Sequence, residues 1–103
     1  MEEEQEKTKV MNENDHTIFV GNKPFMNYVT GVVMQFTTQG ADEVIVKARG
    51  KFISKAVDIS EVASKRFLEG QAKVTNVKID SEEFKNKEGK QVRVSTIEVY
   101  LKK

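Results

Sequence analysis

A helical repeat between two short β-branched runs constrains the fold of this chain more than any other feature. Apolar side chains recur at the spacing of one face of an α-helix. They are Phe25, Tyr28, Val29, Val32, Val33 and Phe36. Pro24 precedes them, at a position where a missing N–H costs nothing, and Gly40 follows as a stop signal. The sequence therefore predicts a first helix over residues 24–38 whose apolar stripe is core.

The runs on either side of this helix predict two strands. Residues 17–20 read TIFV, and residues 42–48 read DEVIVKA with an almost continuous apolar centre. A strand, a helix and a second strand in this order form a unit whose strands are parallel and whose crossover is right-handed. We therefore expect the two strands to end at the same edge of one sheet.

The second half of the chain predicts one more helix and two longer strands. Apolar positions indicate a helix over residues 53–68, and the strands follow at residues 72–79 and 91–101. The polar residues between these strands, with Glu88 and Gly89 at the turn, predict a hairpin whose tip extends past the sheet. The prediction is an α+β fold of order β1-α1-β2-α2-β3-β4, a mixed four-stranded sheet with two helices on one face.

Composition divides the 103 residues into two parts. Residues 1–16 hold six acidic and two basic residues, a net charge of −4, and their composition predicts a disordered acidic tail that includes the only histidine, His16. Residues 17–103 hold 15 basic and 10 acidic residues, a net charge of +5, and form the predicted folded domain. A domain with this charge is compatible with a nucleic-acid partner.

Several classes of function find no support in the sequence. The chain has no cysteine, which excludes disulfides and thiolate chemistry, and it has no recognisable catalytic or nucleotide-binding motif. No apolar run approaches the length of a signal peptide core or a membrane span. We expect a protein that is not an enzyme, holds no cofactor or metal, and has no membrane partner.

Residues 47–58, KARGKFISKAVD, carry the strongest functional signal. Four cations, Lys47, Arg49, Lys51 and Lys55, surround the start of the second helix, and Lys23 stands at the start of the first. Both helix starts follow the carboxyl ends of parallel strands, so these cations should form one patch suited to phosphate. The alternative interpretation is an ordinary solvated loop.

The hairpin extends this basic surface, since Lys85, Lys87, Lys90 and Arg93 decorate it. Phe52 is the one aromatic residue among the cations, and a packing role at the helix start suits it best. Proteins that read single strands rely on exposed aromatic side chains for base stacking. The scarcity of such side chains here favours recognition of the backbone of a duplex or a structured RNA.

Four segments in this order resemble the Alba family of archaeal chromatin proteins. They are GNKPFMNYV at 21–29, KARGKFISKAVD at 47–58, RFL at 66–68 and RVSTIEV at 93–99. The resemblance covers residues 17–103. It implies a fold similar to the C-terminal domain of bacterial translation initiation factor three. It also implies a cytoplasmic, chromosome-associated homodimer that binds double-stranded DNA and RNA without sequence preference and contributes to chromosome packaging.

The resemblance also assigns roles by position. The family's GKKP loop reads GNKP here, so Asn22 replaces the lysine that the family acetylates and only Lys23 remains. The nucleic-acid-binding positions that this implies are Asn22, Lys23, Lys47, Arg49, Lys51, Lys55 and, on the minor-groove arm, Lys90 and Arg93. Arg66, Phe67 and Leu68 match the contact through which neighbouring dimers assemble along DNA.

A second interpretation stays open from the sequence. The same basic patch would suit the backbone of an A-form helix. The protein could therefore bind structured RNA, as a stabiliser of RNA or as a subunit of a ribonucleoprotein.

Overall fold

A computed structural model describes residues 16–103, which form a four-stranded sheet with two helices packed on one face. The elements in chain order are β1 (Thr17–Phe19), α1 (Phe25–Thr37), β2 (Glu43–Arg49), α2 (Ile53–Val62), β3 (Lys73–Lys85) and β4 (Gln91–Lys102). The strands lie in the order β1-β2-β4-β3. The predicted α+β fold and element order are confirmed, and this arrangement is consistent with the expected likeness to the initiation-factor domain.

The predicted parallel unit is present. Strands β1 and β2 pair in parallel, with Ile18 opposite Val46, and β4 pairs antiparallel with both β2 and β3. The hydrogen bond from the amide of Val20 to the carbonyl of Lys47 (2.9 Å) extends the pairing of β1 beyond its last residue. Both helices therefore begin near the same edge of the sheet, as the sequence predicts.

Strand β2 shows which face of the sheet is covered. Val44, Val46 and Ala48 are buried beneath the helices, as expected of alternate residues on one face. Lys47 and Arg49 point to the opposite side, where no described element packs. We call this side the open face.

Helix α2 ends sooner than the sequence predicts. After Val62 the chain continues as a π-helical turn, Ala63–Phe67, which closes with a hydrogen bond from the amide of Leu68 to the carbonyl of Ala63 (2.9 Å). This turn places Leu68 in the core with no exposed surface, while Phe67 is 49% exposed. A single helix through residue 68 is therefore incorrect at its last turn.

The hairpin of β3 and β4 is longer than predicted. Strand β3 continues to Lys85, because its polar residues pair fully with β4 up to Gln91. Beyond the last pairing of β2 with β4, between Arg49 and Thr96, the hairpin runs without a third strand, and we call residues 81–95 the arm. The arm contributes to the elongated shape, 48 × 23 × 22 Å.

A bulge in β3 decides which of its side chains face which way. The register shifts between Val74 and Asn76, so that Thr75 has no partner of its own in β4. From Asn76 onward, even-numbered side chains of β3 lie on the open face and odd-numbered ones on the helix side. A regular strand would place them the other way round.

The predicted acidic tail, residues 1–16, lies outside the described residues except for His16. The sequence assigned His16 to the disordered tail, but the structure anchors it. Its Nδ1 hydrogen-bonds Gln35 Oε1 at 2.5 Å, and its carbonyl accepts the amide of Ile45 at 3.0 Å. Within residues 16–103, neither helix is long and apolar enough to cross a membrane.

Candidate nucleic-acid interface

The loop between β1 and α1, residues 20–24, is held by two side chains from the helices. The hydroxyl of Tyr28 accepts the amide N–H groups of Gly21 (2.8 Å) and Lys23 (3.1 Å). The ammonium of Lys55 donates to the carbonyls of the same two residues, at 2.7 and 2.6 Å, and lies 5.1 Å from the centre of the Tyr28 ring. We call residues 20–24 in this arrangement the edge loop.

The edge loop brings the two predicted cation sets together. Lys23 from the first helix start and Lys55 from the second meet here, so their placement at one edge is as predicted. Lys55 differs in one respect, because its ammonium already donates to two carbonyls. Its main contact is with the loop backbone.

Two cations at this edge have no carboxylate partner within the described part of the chain. Lys23 is exposed on the edge loop, and Lys51 is exposed in the 3₁₀ turn Gly50–Phe52 that leads into α2. The Lys51 ammonium lies 5.4 Å from the centre of the Phe52 ring. Asn22 is also exposed on the loop, beside Lys23. These side chains are accessible to a phosphate without breaking an ion pair.

Phe52 has the packing role that the sequence favoured. It is partly buried and packs against the core at the start of α2.

Lys47 lies away from the edge, in the middle of the open face. Its ammonium is 3.2 Å from Glu98 Oε2, and the hydroxyl of Tyr100 donates to the same carboxylate at 2.6 Å. The Tyr100 hydrogen bond and then Lys47 lower the pKa of Glu98, and the bond to Glu98 raises the pKa of Tyr100. The sequence placed Lys47 with the edge cations, but strand alternation turns it toward the open face.

Arg49 is the last residue of β2, where the arm leaves the sheet. The sequence placed it in the connector, residues 49–51 between the second predicted strand and the second helix, but it still pairs with Thr96 of β4. Its Nη2 lies 3.0 Å from Glu82 Oε1, and its guanidinium lies 5.8 Å from the centre of the Phe84 ring. Arg49 therefore links the body of the protein to β3 of the arm.

The arm carries acidic as well as basic side chains. Arg93 is directly opposite Glu83 in the hairpin and donates to Glu83 Oε2 at 2.7 Å. At the tip, the side chain of Asn86 accepts the amides of Glu88 (2.9 Å) and Lys90 (3.0 Å), which shapes the turn. Lys90 itself is exposed. The arm is therefore less basic than the lysine spacing alone suggested.

The scarcity of aromatic side chains near the cations was an incorrect expectation. Phe19 is 62% exposed beneath Lys47, with the ammonium 5.6 Å from the ring centre, and Phe84 is 45% exposed beside Arg49. Strand pairing brings these side chains together from distant parts of the sequence. Only the register of the sheet could have revealed them.

The predicted contact between dimers divides into two parts. Arg66 and Phe67 are exposed on the π-helical turn and remain available to a partner. Leu68, which the sequence assigned to the same contact, has no exposed surface and packs in the core. Consecutive residues of a helical turn point in different directions, so Leu68 can be buried while Phe67 is exposed.

The fold and these side chains define a small α+β protein with an accessible basic edge and a mixed-charge arm. Comparison with known proteins agrees with this class, since the Alba family model matches residues 16–81. The DNA/RNA-binding protein Alba of Nanoarchaeum equitans is 56% identical over 87 residues, covering 84% of this chain and 96% of the relative. That of Methanocella arvoryzae is 48% identical over 89 residues, covering 86% and 91%.

Solved structures show the same relationship. Alba from Thermoplasma volcanium superposes with a TM-score of 0.75 at 45% identity, over 84% of this chain and 99% of that one. Trypanosoma brucei ALBA1 shares the fold, with a TM-score of 0.62 at 23% identity, over 86% and 69%. The chain belongs to the Alba family.

Proposed function

We propose that this chain binds the phosphate backbones of double-stranded DNA and of RNA, without sequence preference and without catalysis. The observation that carries the proposal is the edge loop, where hydrogen bonds from Tyr28 and Lys55 hold the backbone of Lys23. Neither Lys23 nor Lys51, which stands just before α2, is paired with a carboxylate among residues 16–103. Contacts of this kind fix position on a nucleic acid but read no base sequence. The names of the relatives, DNA/RNA-binding proteins, support both ligands.

The interface we propose consists of the edge and the arm. Lys23, Asn22 and Lys51 contact phosphates directly, and Arg49 joins them at the root of the arm. Lys90 and Arg93 lie along the groove beside the main contact. Lys55 acts indirectly, by holding the backbone of the edge loop, and Lys47 contributes from the open face. On the chromosome, such binding would contribute to DNA packaging.

We propose further that the protein acts as a homodimer. Neither helix packs over most of β3, and its helix side presents Val77, 48% exposed, and Ile79, 79% exposed. Adjacent exposed apolar side chains on a strand are typical of a surface that another protein covers. A second copy would bury them and place two basic edges and two arms on one assembly. Arg66 and Phe67 would then be free to join neighbouring dimers.

The interface is tested by salt titration of binding to duplex DNA and to a structured RNA. The logarithm of the binding constant should fall linearly with the logarithm of salt concentration, by about 0.9 for each phosphate neutralised on DNA. The double variant Arg49→Ala, Lys51→Ala should bind all sequences more weakly and with a smaller slope. An unchanged slope would contradict the assignment, and binding to RNA alone would support the second interpretation from the sequence.

The dimer is tested by measuring mass in solution. Ile79→Asp should convert the dimer to a monomer, because it places a charge within the proposed apolar contact. Asn76→Asp is the matched control, since it adds the same charge to an exposed position on the open face of the same strand. A dimer that survives Ile79→Asp would place the contact elsewhere.

A further inference from the structure

Arg49 is held by two side chains of the arm that the proposed interface does not explain. Glu82 accepts its guanidinium at 3.0 Å, and the ring of Phe84 lies 5.8 Å from the guanidinium carbon. The ion pair is largely exposed, with 55% of the Arg49 side chain and 58% of the Glu82 side chain accessible, and Phe84 is 45% exposed. The pair is therefore open to a competing anion.

The bulge in β3 creates this arrangement. Arg49 lies on the open face, in the last rung that joins β2 to β4. Because Thr75 is left unpaired, Glu82 and Phe84 face the same side as Arg49. Without the bulge both would point to the helix side, and Glu83 would face the side of Arg49 instead.

We propose that Glu82 occupies the phosphate position of Arg49 in the free protein, and that nucleic acid displaces it while Phe84 keeps the guanidinium in place. This inference rests on the proposed function, because it describes how one residue of that interface is occupied before binding. Exposed ion pairs contribute little stability, so a phosphate in the strong field of a duplex can replace the carboxylate.

Phe84 is a positioning residue in this scheme. A guanidinium that lies over the face of a ring is attracted to the ring without using its N–H groups as donors, so a phosphate can accept two of them. Glu82 contributes the opposite effect, because its carboxylate must leave before the phosphate binds. Glu82 therefore lowers affinity and Phe84 raises it, although they are two residues apart on one strand.

The test is a double-mutant cycle with duplex DNA at fixed, near-physiological salt. Glu82→Gln should raise affinity about two- to fivefold, the range expected when one exposed ion pair no longer competes. The same substitution in the Arg49→Ala protein should have no such effect. Glu88→Gln, which removes one negative charge from the arm tip, is the matched control and should act equally in both backgrounds.

Phe84 gives an independent measurement. Phe84→Leu, which keeps an apolar side chain, should lower affinity about two- to fivefold, and Phe84→Tyr should restore it because the ring is retained. Circular dichroism of each variant checks that the sheet is intact. If Phe84→Tyr lowered affinity as much as Phe84→Leu does, the role of the ring would be overturned.

The outcomes separate this inference from the proposed function. An equal gain from Glu82→Gln with and without Arg49 would show general charge repulsion and overturn the exchange. Lower affinity on Glu82→Gln would show that Glu82 braces the arm, which also overturns it. If Arg49→Ala, Lys51→Ala leaves binding and its salt slope unchanged, the proposed interface itself fails and this inference fails with it.

Discussion

The edge and the arm both carry cations, but these cations differ in the groups that they contact. At the edge, Lys55 donates to backbone carbonyls, and Lys23 and Lys51 have no carboxylate partner in the described range. Toward the arm, Arg49 and Arg93 each have a glutamate within 3.0 Å. Cations that look equivalent in the sequence therefore differ in what a phosphate must displace to reach them.

This difference assigns different tasks to the two regions. Cations without a carboxylate partner add their full charge to the field that attracts a polyanion. Paired arginines add little net charge at a distance but can exchange partners once the nucleic acid is close. We infer that the edge dominates affinity and that the arm adjusts it.

The largest expected effect comes from removing the unpaired edge cations. Lys23→Ala, Lys51→Ala should weaken duplex binding at least about tenfold near 0.15 M salt, because two contacts per chain each contribute about 0.9 to the salt slope. Lys47→Ala, Arg93→Ala removes the same number of charges from paired positions and should lose clearly less. Fluorescence anisotropy over a salt series measures both, and equal losses would remove the distinction between the regions.

The edge loop should also depend strongly on the Tyr28 hydroxyl. Tyr28→Phe keeps the ring beneath Lys55 but leaves the amides of Gly21 and Lys23 without their acceptor. We expect a loss of about 1–3 kcal/mol in the free energy of unfolding, measured by urea denaturation. Tyr100→Phe is the control, since its partner Glu98 is partly exposed. If both variants lost a similarly small amount of stability, water would be replacing the Tyr28 hydroxyl as the acceptor of the two amides.

Local sequence signals predicted the body of the fold well. The stripe from Phe25 to Phe36 defined α1 to within a residue at each end, and the parallel unit that it implied placed Lys23 beside the start of α2. Such signals depend on neighbours within one helical turn or on strand alternation, which a single sequence displays directly.

The remaining features depend on pairing between distant residues. The unpaired Thr75 reverses the facing of every later residue in β3, yet nothing in residues 72–79 marks a bulge. Consequently the sequence could not show that Glu82 and Phe84 meet Arg49. Likewise, nothing in the sequence marks the point after Val62 where α2 gives way to the π-helical turn Ala63–Phe67.

The connector between the two regions offers a test at Gly50. Its φ of +60° is a left-handed conformation, and a Cβ there would lie 3.3 Å from the side chain of Val94 in the arm. Gly50→Ala should therefore lower the free energy of unfolding by about 1–2 kcal/mol. Gly21→Ala is the control, because its Cβ would make an ordinary 3.6 Å contact with Tyr28 Oη. Thermal denaturation compares the two variants, and equal stability would show that the backbone of the connector adjusts to a Cβ at position 50.

The smallest expected effect concerns the titration of Glu98 on the open face. Its pKa is lowered, first by the Tyr100 hydrogen bond and then by Lys47, so its ionised form stabilises the fold at neutral pH and this stabilisation is lost as pH falls through the lowered pKa. Tyr100→Phe should move the pKa upward, while Lys47 keeps it below the ordinary value. Carbon-detected NMR titration of the carboxyl group measures this shift. An unchanged pKa would show that Lys47 alone holds the carboxylate, and the open face would then resemble the arm, with one cation opposing one carboxylate.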